Sequence, residues 1–248
     1  MPELDGRVAL VTGAGRNIGR AIALDLAAAG AAVVVNARSN QAEADAVAKE
    51  IVAAGGKAIA HLADVIDPSA VERLVKTATD RFGRLDILVN NAALRGEVPF
   101  AELDYATWKA VLGVCLDGAF HCIKAAHAAL KAGGAGAVIN IGGVSAHVGA
   151  ADRVHVLTAK MGLVGFTRGL AHDLAPDGIT ANCVVPGQID TARAGGKQPS
   201  HHAIHKPLVG RRGRPDEIAS AVRWLAGPQG HYVTGQAIHI NGGLYLGA

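Results

Sequence analysis

The sequence predicts an α/β fold, with one doubly wound domain of about seven parallel strands flanked by helices. Three observations support this prediction. Short runs of β-branched residues alternate with Ala-rich segments of helical periodicity along all 248 residues. A glycine-rich stretch, VTGAGRNIG (11–19), follows the first strand and opens the first helix. No linker or low-complexity segment divides the chain, so residues 1–248 are expected to form a single domain.

Each apolar run is expected to be a strand because its β-branched residues suit a sheet covered on both faces. The runs are RVALVT (7–12), AVVVNA (32–37), AIAHL (58–62), LDILVNN (85–91), AVINIG (137–142), TANCVV (180–185) and AIHI (237–240). The helices expected between and after them cover 18–30, 40–56, 69–83, 105–130, 154–175 and 215–227. Right-handed crossovers between such strands place them in one parallel sheet.

The composition restricts the partners and the compartment. A net charge of +3 is too small and too dispersed to indicate nucleic-acid binding. No apolar run approaches the length of a membrane span, and the start of the chain does not resemble a secretory signal. Cys115, Cys122 and Cys183 lack metal-ligand spacing and are expected to be free, buried thiols. We therefore expect a cytoplasmic protein that binds neither membrane nor nucleic acid.

Several motifs resemble those of the short-chain dehydrogenase/reductase family, and the likeness extends over the whole chain. They are Thr12-Gly13 with Gly19 (glycine turn), Asp64-Val65 (adenine contact), Asn90-Asn91-Ala92-Ala93 (NNAG motif), Pro186-Gly187 with Ile189 and Thr191 (nicotinamide loop), and HYVTGQAIHINGG (231–243, last strand). The resemblance implies a Rossmann-type fold with a bound dinucleotide. The implied contacts are Gly13, Gly15, Arg16, Asn17, Ile18, Gly19, Arg38, Asp64, Val65, Asn90, Ala92, Lys160, Pro186, Gly187, Ile189 and Thr191.

The glycine turn departs from the family pattern at one position. Glycines in such a turn bring backbone N–H groups to a pyrophosphate at the N-terminus of the next helix. Asn17 stands where the family usually has its middle glycine. Since Asn tolerates a left-handed backbone better than most residues, the turn is expected to survive. A purely structural substitution is the favoured interpretation of Asn17, and donation from its amide to a phosphate is the alternative.

The charges near the second strand predict the cofactor. An NAD enzyme usually has an acid at the end of that strand for the ribose 2′-OH. Here the position is Ala37, followed by Arg38, and Arg16 lies in the glycine turn. Two guanidinium groups without a carboxylate suit a 2′-phosphate, so NADP(H) is preferred over NAD(H). The alternative is that both arginines are ordinary surface residues.

The catalytic residues implied by the resemblance are mostly missing. In the family, Tyr exchanges a proton with the substrate oxygen, Ser and Asn support it, and Lys binds the nicotinamide ribose and lowers the Tyr pKa. Lys160 matches the Lys and is the expected catalytic residue. Val156 stands at the Tyr position, Gly143 at the Ser position and Cys115 at the Asn position. The resemblance therefore implies an active site without its usual acid.

Three nearby residues are candidates for a replacement proton donor. His155 adjoins Val156 but is rotated by about 100° around the helix, so it should point elsewhere. Ser145 and His147 follow the fifth strand, where the substrate loop of the family begins. Ordinary loop polarity is the alternative for each of them. Asp152 and Arg153 precede the helix and are expected to be exposed.

A substrate lid is expected at about residues 190–212, the variable segment of the family. His201, His202 and His205 could share one helix face there. A metal site, a contact with an anionic substrate and a solvated loop all remain open. Because no carboxylate or thiolate accompanies the histidines, the metal site is the least favoured of the three and no metal is assigned.

Three functions remain open at this point. The favoured one is an atypical NADP(H)-dependent oxidoreductase that acts on a small-molecule C=O, C=N or C=C substrate without the usual Tyr acid. The others are an NADP(H)-binding protein without turnover, and a lyase or isomerase on the same fold. The resemblance also implies a homotetramer. Apolar residues in helices 105–130 and 154–175 exceed one sheet-facing stripe, which favours a subunit interface.

Overall fold

The computed structural model describes residues 2–192, 202 and 205–247, and its centre is a seven-stranded parallel sheet. The strands are β1 (Val8–Val11), β2 (Ala32–Ala37), β3 (Lys57–Leu62), β4 (Ile87–Asn90), β5 (Ala137–Ile141), β6 (Thr180–Pro186) and β7 (Ala237–Ile240). Their order is β3-β2-β1-β4-β5-β6-β7. Because the chain winds outward in one direction from β1 and in the other from β4, the predicted doubly wound fold is confirmed.

Helices cover both faces of the sheet. They are α1 (Asn17–Ala28), α2 (Gln41–Ala53), α3 (Pro68–Phe82), α4 (Tyr105–Leu112), α5 (Gly118–Ala132), α6 (Ser145–Val148), α7 (Val154–Leu174) and α8 (Pro215–Ala226). Buried side chains of α1, α2 and α8 form one apolar core, and those of α3, α5 and the end of α7 form another. This gives the three-layer arrangement expected for a parallel sheet. None of the helices in the described residues is long and apolar enough to cross a membrane.

The chain is helical throughout the range 105–130, as predicted, but it is not α-helical throughout. A π-helical turn, Gly113–Asp117, separates α4 from α5. Glycines stand at both borders of this turn, and a Cβ added at Gly118 would lie 2.6 Å from Cγ2 of Val65. The chain therefore approaches the loop after β3 closely at this point. Helical periodicity in the sequence does not reveal such a turn, because one extra residue shifts the apolar stripe only locally.

Candidate functional site

The glycine turn between β1 and α1 is too tight for side chains at two positions. Gly13 has a φ of +61°, in the left-handed region. A Cβ added at Gly19 would lie 2.3 Å from the carbonyl oxygen of Gly13 and 2.6 Å from Nδ2 of Asn91. The first turn of α1 therefore packs directly on the end of β4. This geometry leaves the backbone of the turn accessible to a phosphate group.

Asn17 adopts the left-handed conformation that the sequence analysis expected, with a φ of +52°. Its Nδ2 donates a hydrogen bond of 3.0 Å to the carbonyl oxygen of Ala192. The amide thus joins the glycine turn to the loop that follows β6. In this structure the Asn17 amide therefore has a structural role, and it does not point to donation to a phosphate.

A cleft of about 570 Å³ runs along the carboxyl ends of β1, β2, β3 and β4. Eleven of the predicted cofactor contacts line it: Gly13, Gly15, Arg16, Asn17, Ile18, Gly19, Arg38, Asp64, Val65, Ala92 and Thr191. A smaller pocket of about 80 Å³ adjoins the cleft and is lined by the predicted contacts Lys160, Pro186, Gly187 and Ile189, with Ile18 and Thr191 shared between the two. Ligands of doubly wound sheets bind at this edge, where the strand order changes direction.

Asn90 is the predicted contact that the structure places outside the lining of both cavities. Its Nδ2 donates to Oδ1 of Asn140 at 2.9 Å, and the residue is buried between β4 and β5. The neighbouring Asn91 lines the cleft instead and donates to the carbonyl oxygens of Thr12 and Gly13. The alternation of side chains along β4 is the signal that distinguishes the two asparagines.

Thr12 and Asn91 together fix the end of β1 against the end of β4. The hydroxyl of Thr12 accepts from the backbone N–H groups of Asn91 and Ala92 and donates to the carbonyl oxygen of Val89. All of these groups are buried or partly buried. Since both strand ends border the cleft, this network holds its floor rigid.

The charge pattern of the cleft differs from the sequence-based prediction. Arg16 and Arg38 line it and are exposed, as a role in phosphate binding requires. The carboxylate of Glu43, from the first turn of α2, also lines the cleft. A Cβ added at Gly15 would lie 3.4 Å from Oε2 of Glu43. The absence of an acid at the end of β2 holds, but the sequence analysis did not predict Glu43 in the cleft, because only the packing of α2 on the glycine turn brings it there.

Lys160 lines the smaller pocket, which adjoins the cleft. It is 6% exposed, and its Nζ donates to the carbonyl oxygen of Ile141 at 2.6 Å. Burial lowers the pKa of Lys160, and the Arg95 guanidinium acts in the same direction, against the Cys115 and Cys183 thiols. Burial in turn raises the pKa of Cys183 to about 11, which keeps that thiol neutral.

Val156 and Cys115 belong to a single apolar cluster beside Lys160. Their side chains are 2% and 3% exposed and pack with Val111 and Ala159. On the other side, a Cβ added at Gly143 would lie 3.8 Å from Cγ of Lys160, an ordinary contact distance. The three positions that the resemblance assigns to Tyr, Asn and Ser thus surround Lys160 with apolar or empty space.

Comparison with known proteins shows the same organisation over the full chain. The family model described as enoyl-(acyl carrier protein) reductase matches residues 13–245. The chain belongs to the short-chain dehydrogenase/reductase family. Its relatives include a 3-oxoacyl-[acyl-carrier-protein] reductase of Synechocystis, 40% identical over 99% of this chain and 100% of that protein. A 3-oxoacyl-[acyl-carrier-protein] reductase FabG from Vibrio cholerae is 38% identical over 98% of this chain and 99% of that protein.

Solved structures agree with this assignment. A dehydrogenase/reductase from Sinorhizobium meliloti is 39% identical, with a TM-score of 0.92 over 98% of this chain and 96% of that one. A short-chain dehydrogenase from Burkholderia cenocepacia in complex with NADP has a TM-score of 0.91 at 35% identity, covering 98% and 99%. A metagenomic blue fluorescent protein in complex with NADPH has a TM-score of 0.90 at 37% identity, covering 98% and 99%.

The structure separates the three candidate proton donors of this dehydrogenase/reductase. Ser145 is buried and lines the smaller pocket. His155 is 1% exposed, lines neither cavity, and burial together with Arg153 lowers its pKa. His147 packs against His239 and Tyr245, with ring centroids 4.5 and 5.1 Å away. Of the three, Ser145 alone borders the space beside Lys160.

Arg153 is buried, which corrects the expectation that it is exposed. It is 8% exposed and lines the smaller pocket together with Arg95. Asp152 is exposed as expected and has a φ of +59°, and its carbonyl oxygen accepts from the N–H of Val98 at 2.7 Å. The left-handed turn at Asp152 redirects the chain just before α7, a change of direction that the sequence does not signal.

The predicted histidine cluster lies only partly in the described residues. His201 is outside them, whereas His202 and His205 line the smaller pocket. Gln188 donates to the backbone carbonyls of both histidines, and Nδ1 of His202 lies 2.6 Å from a guanidinium nitrogen of Arg212. Within residues 2–192, 202 and 205–247, no group of three or more potential metal ligands is found. Cys115, Cys122 and Cys183 are free and buried, as predicted.

Proposed function

We propose that this protein is an NADPH-dependent oxidoreductase that transfers a hydride to a small-molecule C=O, C=N or C=C substrate without a tyrosine acid. The observation that carries the proposal is that Lys160 lines the smaller pocket, while Val156, at the position that the resemblance assigns to the acid, packs in an apolar cluster. By the resemblance, the residues expected to bind the cofactor are retained and the usual proton donor is absent. Oxidoreductase activity itself accords with the relatives of the family.

The residues around the cleft suit a dinucleotide. Gly19, where no side chain fits, and the left-handed Gly13 keep the turn tight. Its backbone N–H groups are therefore accessible to a pyrophosphate. Arg16 and Arg38 supply the charge for a 2′-phosphate, and relatives bind NADP and NADPH. Glu43 reduces the positive charge of the cleft, so we propose a preference for NADPH that still permits some NADH binding. Bound NADPH supplies the hydride.

The residues of the protein itself then have two tasks, which are to orient the substrate and to polarise its reacting group. Lys160 holds a buried ammonium donor beside the pocket, and Ser145 offers a hydroxyl there. The apolar wall at Val156 stabilises no developing alkoxide, since an unpaired oxyanion in such surroundings is costly. An iminium carbon accepts hydride and becomes a neutral amine, so no oxyanion forms. Hydride addition to the β-carbon of an enoyl thioester forms an enolate whose oxygen is remote from the reacting carbon, and its α-carbon then takes a proton from water. These substrates therefore fit the site better than a simple ketone.

Two alternatives have observations of their own. Full-length similarity at 40% identity to a 3-oxoacyl-[acyl-carrier-protein] reductase favours reduction of such a 3-oxo thioester, with Ser145 as the donor. The closed apolar cluster around Val156 favours a protein that binds NADPH without turnover. A lyase or isomerase on the same fold has no specific observation in its support.

We also propose that the protein is a cytoplasmic homotetramer, with one domain and a substrate lid at about residues 190–212. Tyr105, Phe120 and Met161 are exposed apolar side chains on α4, α5 and α7, the helices that the sequence analysis expected to meet another subunit. Light scattering at micromolar concentration tests the assembly, and a monomeric mass contradicts it.

One experiment separates the candidate functions. NADPH binding is titrated by its fluorescence, and NADPH oxidation is then followed with matched ketone, imine, 3-oxoacyl thioester and enoyl thioester substrates. Oxidation with the imine or enoyl compound at rates well above the ketone supports the proposal. Fast oxidation with the 3-oxo thioester supports the first alternative, and tight binding without any oxidation supports the second.

A further inference from the structure

The smaller pocket beside Lys160 has an unusual charge for a substrate pocket. Arg95, Arg153 and Lys160 line it, and two of these cationic side chains, Arg153 and Lys160, are at least nine-tenths buried. Among the described residues that line it there is no Asp or Glu. Burial, with a contribution from Arg95, lowers the pKa of Lys160, as expected where positive charges are concentrated out of water.

We propose that this pocket binds the carboxylate of the substrate, and that Arg153 is its principal ligand. The inference rests on the proposed oxidoreductase function and names the substrate class of the same site: a short oxo, imino or enoyl acid. An Arg guanidinium presents a planar fork of donors that matches a carboxylate in bidentate geometry. Both arginines also interact within the protein, but five N–H donors on each leave capacity for a ligand.

The position of Arg153 strengthens the argument. It is the N-cap residue of α7, a helix of 21 residues, and its side chain makes no capping hydrogen bond. The N-terminus of a helix carries partial positive charge and favours anions, so a buried cation there is electrostatically unfavourable by itself. A carboxylate in the pocket interacts favourably with both the guanidinium and the helix end.

The pocket is also lined by Pro186, Gly187 and Ile189 of the predicted nicotinamide loop, so the space beside a bound cofactor favours a carboxylate on a short carbon chain. At about 80 Å³ the pocket is several-fold smaller than the adjoining cofactor cleft of about 570 Å³. Arg95 lines both the cofactor cleft and the smaller pocket, whereas Arg153 lines only the smaller pocket. This difference separates the two arginines experimentally: removal of Arg153 should change anion binding without changing cofactor binding.

The test uses pairs of probes that differ in one charge. Pyruvate, acetoacetate and levulinate, and the methyl ester of each, are titrated into the full-length protein with NADPH bound, by the emission of the bound NADPH and by thermal shift. These acids place the carbonyl at increasing distance from the carboxylate. We expect at least one acid to bind tenfold or more tightly than its ester at low ionic strength, with the difference reduced by salt.

The variants identify the residue. Arg153→Gln should abolish the preference for the acid while leaving the dissociation constant of NADPH unchanged, and Arg153→Lys should retain part of the preference. Arg168→Gln, at an exposed arginine on the same helix, is the matched control and should change neither quantity. If Arg153→Lys keeps part of the preference for the acid, the effect of Arg153→Gln is due to loss of the cation and not to loss of the fold.

The outcomes distinguish this inference from the proposed function. Equal binding of acid and ester, or no binding of any of the acids, overturns the carboxylate pocket even when NADPH binds well. Binding of inorganic phosphate as tight as that of the best acid, and lost in Arg153→Gln, overturns the assignment to a carboxylate in favour of a phosphate group. Failure of NADPH to bind overturns the proposed function, and thermal shifts with the acids alone then still test the pocket.

Discussion

Cys115 and Val156 pack in one apolar cluster although they come from different elements, the π-helical turn after α4 and the first turn of α7. By resemblance they stand at the Asn and Tyr positions of the family. Two polar residues that normally communicate through a site are thus replaced by two apolar residues that contact a common set of neighbours. Packing of this kind stabilises the wall of the pocket, and under the proposed function it also leaves the pocket without the proton relay that the resemblance implies.

Reduction of simple ketones should be slow. General acid catalysis contributes about 10²- to 10⁴-fold, and neither Val156 nor Gly143 provides it. We expect turnover of unactivated ketones at least about 100-fold below the common range of 1–10³ s⁻¹. Steady-state NADPH oxidation measures this. Rapid ketone reduction that is lost in Ser145→Ala would show that the acid has been relocated to Ser145.

Restoring the family residues should raise ketone reduction. Gly143→Ser finds room, since its Cβ would make an ordinary 3.8 Å contact with Lys160. Val156→Tyr enters a packed cluster and should lower the free energy of unfolding by about 1–3 kcal/mol. Together with Cys115→Asn the changes should increase the rate, whereas Gly143→Ser alone should not. An unchanged rate in a folded triple variant argues that the backbone no longer holds the family geometry.

NADPH should raise the melting temperature, because a ligand that binds only the folded state stabilises it by about 2.7 kcal/mol at 100 times its Kd. The double change Arg16→Ala and Arg38→Ala should remove most of this shift. The shift caused by NADH should be affected much less. Arg73→Ala, at an exposed arginine on α3, serves as the control. Equal losses for the two cofactors would contradict the assignment of the arginines to a 2′-phosphate.

Glu43 should weaken NADPH binding by repulsion of the 2′-phosphate. Glu43→Gln keeps the size of the side chain but removes a negative charge from the cleft. We expect NADPH to bind several-fold more tightly and NADH to bind equally or less tightly, by fluorescence titration at low salt. Glu72→Gln, an exposed change on α3, should have no effect. No change in the ratio of the two dissociation constants would place Glu43 away from the phosphate.

Two glycine substitutions should have opposite effects on stability. Gly19→Ala forces a Cβ to within 2.3 Å of a backbone oxygen, so it should destabilise the protein and abolish NADPH binding. Gly165→Ala, in the middle of α7, adds a Cβ that meets nothing within 4 Å. It should stabilise the protein by about 0.5–1 kcal/mol, the difference between Gly and Ala in a helix. Urea denaturation of both variants measures this.

The buried ammonium of Lys160 should make stability depend on pH. Its pKa is lowered in the folded protein, so at pH values approaching the ordinary 10.5 the unfolded chain binds more protons than the folded one. The free energy of unfolding should therefore gain a contribution that rises with pH toward 10.5. Lys160→Met should lose this contribution, and Lys124→Met, at an exposed lysine on α5, should keep it. Parallel pH profiles for both variants would contradict the burial argument.

The sequence by itself determined the fold and most of the residues that line the large cleft. Strands such as Ala32–Ala37 and Ala237–Ile240 coincide with their predicted ranges, because β-branched runs and glycine turns are local signals that the tertiary structure did not override. The left-handed Asn17 followed from the same local chemistry.

Tertiary structure alone decided the charges around the two cavities. Glu43 reaches the cleft because α2 packs on the glycine turn, and Arg153 is buried because the chain turns at Asp152 before α7. The π-helical turn that carries Cys115 also has no periodic signature in the sequence. Local propensities set which elements form, but the direction of a side chain between elements depends on contacts between residues far apart in the chain. Such contacts have no local pattern, and they arise only when the layers pack together.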